Sequence, residues 1–178
     1  MIALHAFDLG WVTGLDDDPS DQCVHGGIEL RVAGEVAFRT EPVLTVSAAC
    51  LYLLRTIEDD HTPEHSVADS NWLFPCCGFS PRPYEGEYPV ICMGCNQGYD
   101  VWVKHIDEGI ELSWEAQRLT IPKNDWAHAV LGLVEQVEAY YRQCKPKDKV
   151  EDEYDAEGWA LFWMEWDDRK QRAVRRGT

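Results

Sequence analysis

Cys92 and Cys95 stand at C-x-x-C spacing with Gly94 between them, and the adjacent pair Cys76-Cys77 lies upstream in the same turn-rich stretch from Leu73 to His105. A glycine inside such a spacing lets two thiolates converge on one metal at a tight turn. Tetrahedral zinc needs two further ligands. Cys77 or Cys76, with one of His61, His65 or His105, would complete the set, so Cys77, Cys92 and Cys95 are the candidate metal residues. Against zinc, a second C-x-x-C is missing, and adjacent cysteines in a strand leave on opposite faces. The other reading needs no cofactor: these thiols are small, weakly polar core residues at strand ends.

Two further thiol chemistries are weaker on the residues. A redox C-x-x-C normally opens a helix, whose terminus lowers a thiol pKa, whereas Asn96, Gln97, Gly98 and Tyr99 lead through a turn into a strand. A cysteine nucleophile needs a base and an orienting group. Cys76 or Cys77 with His105 and Asp100 would supply them, but no spacing requires it. The chain has no G-x-G-x-x-G, P-loop, H-E-x-x-H or G-x-S-x-G pattern, so the expectation is a protein without enzymatic activity.

Charge is the stronger signal. The 178 residues carry 32 acidic and 16 basic side chains, a formal −16. Of these, 20 acidic but only 6 basic residues fall in the first 120 positions, whereas Arg169, Lys170, Arg172, Arg175 and Arg176 make the C-terminal tail basic. Such a charge repels phosphate backbones, which argues against direct nucleic-acid binding, and favours a basic protein partner. Asp8 interrupts the opening apolar run, so no signal peptide is expected, and no run approaches the ~20 apolar residues of a membrane span. Seven cysteines, an odd number, in a chain expected in the cytoplasm are expected to be reduced.

The acidic groups cluster. Asp16, Asp17 and Asp18 form an exposed loop, Glu58, Asp59 and Asp60 end a helix, and Asp107 and Glu108 sit at a hairpin turn. These eight are the candidate partner-binding residues, acting as charge partners for arginines and lysines. Carboxylates at the negative end of a helix dipole are locally unfavourable, which marks Glu58 to Asp60 as a contact surface.

The elements that position these groups follow from periodicity. Ile2 to Leu9 reads as a strand, and Ile28 to Val32 with Glu35 to Arg39 as a hairpin around Ala33-Gly34. Val46, Ala49, Leu53 and Ile57 recur at helical spacing within Thr45 to Glu58, with Thr45 or Ser47 as the cap. Thr62-Pro63-Glu64 reads as the start of a short second helix. The Leu73 to His105 stretch is expected to supply middle strands on which the helical layers lean. Asp100 to Ile106 and Ile110 to Trp114 alternate around Asp107-Glu108-Gly109, with Val101, Val103 and His105 on one face and Trp102, Lys104 and Ile106 on the other. Arg118 to Ile121 adds a strand.

Two amphipathic helices close the chain. Trp126, Val130, Leu133, Val134, Val137 and Tyr141 form one apolar stripe behind a cap at Asn124 or Asp125. Trp159, Phe162, Trp163 and Trp166 form another behind Asp155. Residues 145–155 read as a charged linker between them. The expectation is a single α+β domain over residues 1–178: a mainly antiparallel sheet with a central helix and two C-terminal helices packed on one face, the other face left wet.

The strand pair DVWVKHIDEGIELS, the acidic α+β plan, the many tryptophans and the lack of a catalytic motif resemble bacterial immunity proteins of polymorphic toxin systems. That resemblance implies a protein that binds and blocks a basic toxin. It leaves the CC and C-x-x-C features unexplained. The alternative is a small zinc-stabilised binding or regulatory domain built on the Cys76/Cys77 and Cys92/Cys95 cluster.

Overall fold

The computed structural model describes residues 1–14, 17–68, 71–76 and 80–176. Its first sheet joins β1 (Ile2–Gly10), β2 (His25–Val32), β3 (Glu35–Arg39) and β4 (Leu44–Thr45) in the order β1-β2-β3, with β4 also pairing β2. All three pairings are antiparallel. Leu4 and Ala6 of β1 are buried between more exposed neighbours, as alternation predicts, whereas β2 is buried continuously from Gly26 to Leu30, with Glu29 held by Arg31 and Arg39.

From β4 the chain turns directly into α1 (Val46–Arg55), of which every residue is buried. A helix apolar nearly all round can only lie inside the core. This helix, and not the Leu73 to His105 stretch, is the axis of the molecule. The side-chain cap expected of Thr45 or Ser47 does not form: the Thr45 hydroxyl donates to the Cys76 carbonyl at 2.6 Å and Ser47 Oγ accepts the Val24 N–H. Instead the Val24 carbonyl accepts the N–H groups of Val46 and Ser47, so the neighbouring backbone satisfies the helix start. The α-helix stops at Arg55 and continues to Asp59 only as turns.

The expected short helix at Thr62 is absent. His61 pairs with Val103 in both directions and Thr62 bridges His65, so the strand-edge hydrogen bonds win over the proline signal. The stretch that follows divides into two short ribbons rather than middle strands: β5 (Phe74–Pro75) with β8 (Gly98–Tyr99), and β6 (Ser80–Pro83) with β7 (Val90–Met93). Pro81, Pro83 and Pro89 cannot donate to a ladder, which keeps these ribbons narrow.

The clearest hairpin of the sequence is formed as read. β9 (Trp102–Ile106) and β10 (Gly109–Trp114) pair with Val103 opposite Leu112, and β11 (Gln117–Ile121) completes a β11-β10-β9 sheet. Val101, Val103, Ile110 and Leu112 are buried, while on the opposite face Lys104 is exposed and Trp102 and Ile106 are half-buried. Gly109 has φ +152°, and a Cβ there would strike the Ile121 carbonyl, so the turn and the close approach of β11 both require glycine.

α2 (Lys123–Gln143) has Pro122 at its cap position rather than Asn124 or Asp125, and buries Trp126, Val130, Leu133, Val134 and Val137. α3 (Glu153–Arg176) is capped by Asp152, whose carboxylate accepts the N–H groups of Tyr154 and Asp155. Asp155, the expected cap, pairs with Arg82. A Cβ on Gly158 would collide with the Pro81 carbonyl, so this glycine lets α3 lie tightly on β6. One continuous apolar core runs from Leu4 through α1 to Trp166. Among the described residues, no helix is long and apolar enough to cross a membrane.

Candidate functional site

The acidic clusters occupy three different kinds of place. Asp18 is buried, with its carboxylate accepting the hydroxyls of Ser20 at 2.7 Å and Thr13 at 2.8 Å. The Ser20 and Thr13 bonds hold its carboxyl below the usual carboxylate range. Asp21 lies lower too: burial opposes this, but His25 and the Val12 and Cys23 amides outweigh it. Asp17 accepts the Lys145 N–H at 3.1 Å, and the Lys147 ammonium donates to the Asp18 carbonyl while lying 3.1 Å from the centre of the Trp11 ring. This loop and the charged linker therefore bind each other, and Asp18 is not the exposed contact expected of it. Asp16 lies outside the described residues.

Glu58 and Asp59 face the basic tail of their own chain. Arg169 reaches Glu58 at 3.2 Å and Asp59 at 3.3 Å, Arg172 reaches Glu58 at 2.9 Å, and Arg176 approaches the other Glu58 oxygen at 2.9 Å as an ion pair. Three arginines of α3 thus offset the carboxylates at the end of α1, which would otherwise oppose the helix dipole. Beneath them, fully buried Arg55 holds Glu165 through two bonds of 2.8 and 2.7 Å and donates to the carbonyls of Val67 and Val90. Asp60 accepts the His105 N–H at 2.7 Å. The tail that begins at Arg169 therefore pairs with the acidic surface of its own chain.

Asp107 and Glu108 remain exposed at the β9–β10 turn, as read from the hairpin. They border a shallow cavity of about 260 Å³ shared with Pro122, Lys123 and Asn124 at the start of α2.

Cys92 is buried in β7 opposite Pro81, while Cys95 is half-buried beyond the strand end, with its thiol 3.9 Å from the Gln97 carbonyl. Cys77 lies outside the described residues. Among the described residues no three His, Cys, Asp or Glu side chains come together to hold a metal. Cys23 and Cys50 are buried elsewhere, and burial pushes both thiols far up. The nucleophile arrangement does not assemble either, because the His105 ring bonds the Thr56 carbonyl at 3.1 Å and Asp100 pairs with His61.

That His61–Asp100 pair marks a groove the sequence did not announce. His61 is buried, with Nε2 at 3.2 Å from Asp100 Oδ1 and Nδ1 at 3.3 Å from Ser66 Oγ. The tautomer that satisfies both contacts carries its proton on Nε2. Asp100 Oδ1 also accepts the Leu73 N–H at 2.8 Å, and the Trp102 indole stacks on the imidazole at 5.0 Å. Ser66 Oγ accepts the Ala68 N–H, closing a local turn. Around this line lies a cavity of about 290 Å³ walled by Trp72, Trp102, Asn71 and Asn96. A second, of about 350 Å³, adjoins it across Trp72 and Asn96, with Val43, Cys76, Gln97 and Tyr99 in its lining. Tryptophan and side-chain amides in a turn-rich stretch were the only signal available, because no fixed spacing links residues 61–72 to residues 96–102.

Comparison of the chain with family models, with curated proteins and with solved structures finds no match.

Proposed function

We propose that this chain is a non-enzymatic acidic binding protein of the cytoplasm that neutralises a basic protein partner, in the manner of the bacterial immunity proteins it resembles. One observation carries the reading. Among the described residues, eleven lysine and arginine side chains lie within ion-pair distance of a carboxylate of the same chain. These basic groups are engaged by the chain's own carboxylates, and with 32 acidic against 16 basic side chains an excess of carboxylate is left to set the surface field. A negative field of this kind captures basic partners quickly and rejects acidic ones, nucleic acid included.

The burial pattern narrows the contact set. Asp18 is buried and Glu58, Asp59 and Asp60 are half-buried and bonded within the chain, whereas Asp107 and Glu108 are exposed and are the contact residues of the proposal. Members of the resembled group act beside a cognate toxin, so the products of adjacent genes are the partners to test.

Association with each adjacent gene product, measured by surface plasmon resonance across increasing salt, decides the reading. The expected result is one basic partner whose association rate falls with ionic strength, and falls again when Asp107 and Glu108 are both reversed to lysine. Binding indifferent to salt and to that reversal, or no association with any adjacent product, would overturn it.

A further inference from the structure

The geometry points to the cavity between Trp72 and Trp102 as a binding site for a guanidinium group, the arginine side chain of a protein partner. Its floor is a carboxylate held in place. Asp100 Oδ1 is committed to the Leu73 N–H and to His61, whereas among the described residues Oδ2 accepts no hydrogen bond. Asp100 therefore presents one oxygen in a fixed direction, with little orientation left to lose on binding.

Two of the lining residues suit a planar cation. Trp72 and Trp102 line the cavity, and Trp102 is braced by its stack on His61. Indole faces attract cations more strongly than any other side chain, and arginine combines that contact with stacking and with directed bonds to a carboxylate. Asn71, Asn96, Ser66 and Thr62 supply further polar atoms around the rim. Among the described residues, no lysine or arginine lines the site.

Size and setting restrict the occupant further. About 290 Å³ is at the lower end of the ~300–1,000 Å³ typical of ligand pockets, which matches one side chain better than a cofactor. The adjoining cavity is lined by uncharged residues, among them Val43, Gln97 and Tyr99, and would take an uncharged neighbour of the arginine. The inference rests on the basic-partner reading for the source of the arginine, but its test needs no partner.

The test is a titration of the whole protein with N-acetyl-arginine amide, followed by NMR at the indole N–H signals of Trp72 and Trp102. The neutral isostere N-acetyl-citrulline amide is the control. The expected result is a saturable shift of both signals with the arginine probe and binding weaker by about tenfold or more with citrulline. Asp100→Asn keeps an oxygen for the Leu73 N–H but replaces the open carboxylate oxygen with a donor, so it should lose the arginine preference while leaving unfolding unchanged. Equal binding of the two probes, or no saturable shift of either indole, would overturn the site on the unaltered protein. Arginine binding of the expected kind together with no association by any adjacent gene product would leave the site standing and remove the toxin partner.

Discussion

Arg55 and Glu165, 110 residues apart, meet in the interior through two hydrogen bonds of 2.8 and 2.7 Å. The remaining Arg55 donors reach the carbonyls of Val67 and Val90, and the guanidinium lies 4.1 Å from the centre of the Tyr88 ring. Burial alone would lower the Arg55 pKa, but Glu165 outweighs it and raises it. The pair fixes the end of α1 to the middle of α3 and to β7.

Breaking that pair from one side leaves a buried charge without its partner. Arg55→Met should therefore cost about 3 kcal/mol in urea unfolding, since loss of one member of a buried pair typically costs 3–5 kcal/mol and Arg169 still reaches Glu165. Arg172→Ala, at a half-exposed position, should cost no more than about 1 kcal/mol. Similar midpoints for the two variants would mean that the buried pair is not what holds α3 down.

The contrast explains what was and was not legible in the residue pattern. The β9–β10 hairpin and the stripes of α2 and α3 could be read because Val101 to Ile106 alternates with period two, and Trp126 to Val137 and Trp159 to Trp166 recur at three and four residues. Local period says nothing about pairing across the chain. Glu58 looked like a surface carboxylate because its arginines stand more than a hundred residues away. The groove at His61 was hidden for the same reason, as its walls come from residues 61–72 and 96–102. The Leu73 to His105 stretch forms narrow ribbons instead of the expected middle strands because prolines interrupt its short apolar runs.

The acidic loop should govern the acid limb of stability. Asp18, Asp21, Glu29 and Glu138 all have carboxyls lowered in the folded chain. The unfolded chain then binds protons first as pH falls, so these groups contribute fully above their unfolded values of about 4 and that contribution is lost as pH drops through the lower folded values. Thermal melts should show a falling midpoint below about pH 4, with a shallower fall in Asp18→Asn and Asp21→Asn. An unchanged slope in both variants would show that these carboxyls titrate alike in both states.

Thiol reactivity should sort by burial rather than by motif. The thiolate is the reactive form, and burial pushes the Cys23 and Cys50 thiols far above their ordinary range. Under native conditions iodoacetamide should label Cys76, Cys95 and Cys144, all half-buried, well before Cys23 and Cys50. Labelling of Cys50 as fast as Cys95 in the folded protein would contradict the packing of α1.

The free edge of the first sheet carries the last prediction. β1 ends the strand order, and an unpaired strand edge is a template for association with another chain. Here the Gln136 side chain of α2 occupies it: Oε1 accepts the Ala6 N–H at 3.1 Å, and Nε2 is 3.5 Å from the Leu4 carbonyl. A carboxamide is the side-chain equivalent of a peptide unit, so one glutamine stands in for the missing neighbouring strand. Gln136→Leu preserves much of the apolar stem but leaves both backbone groups unbonded beneath α2, at a cost of about 1–3 kcal/mol. Hydrogen exchange at the Ala6 amide should accelerate in this variant, and sedimentation should reveal association at concentrations where the unaltered chain stays at one size. Unchanged protection of Ala6 would mean that the ladder to β2, and not Gln136, shields this strand.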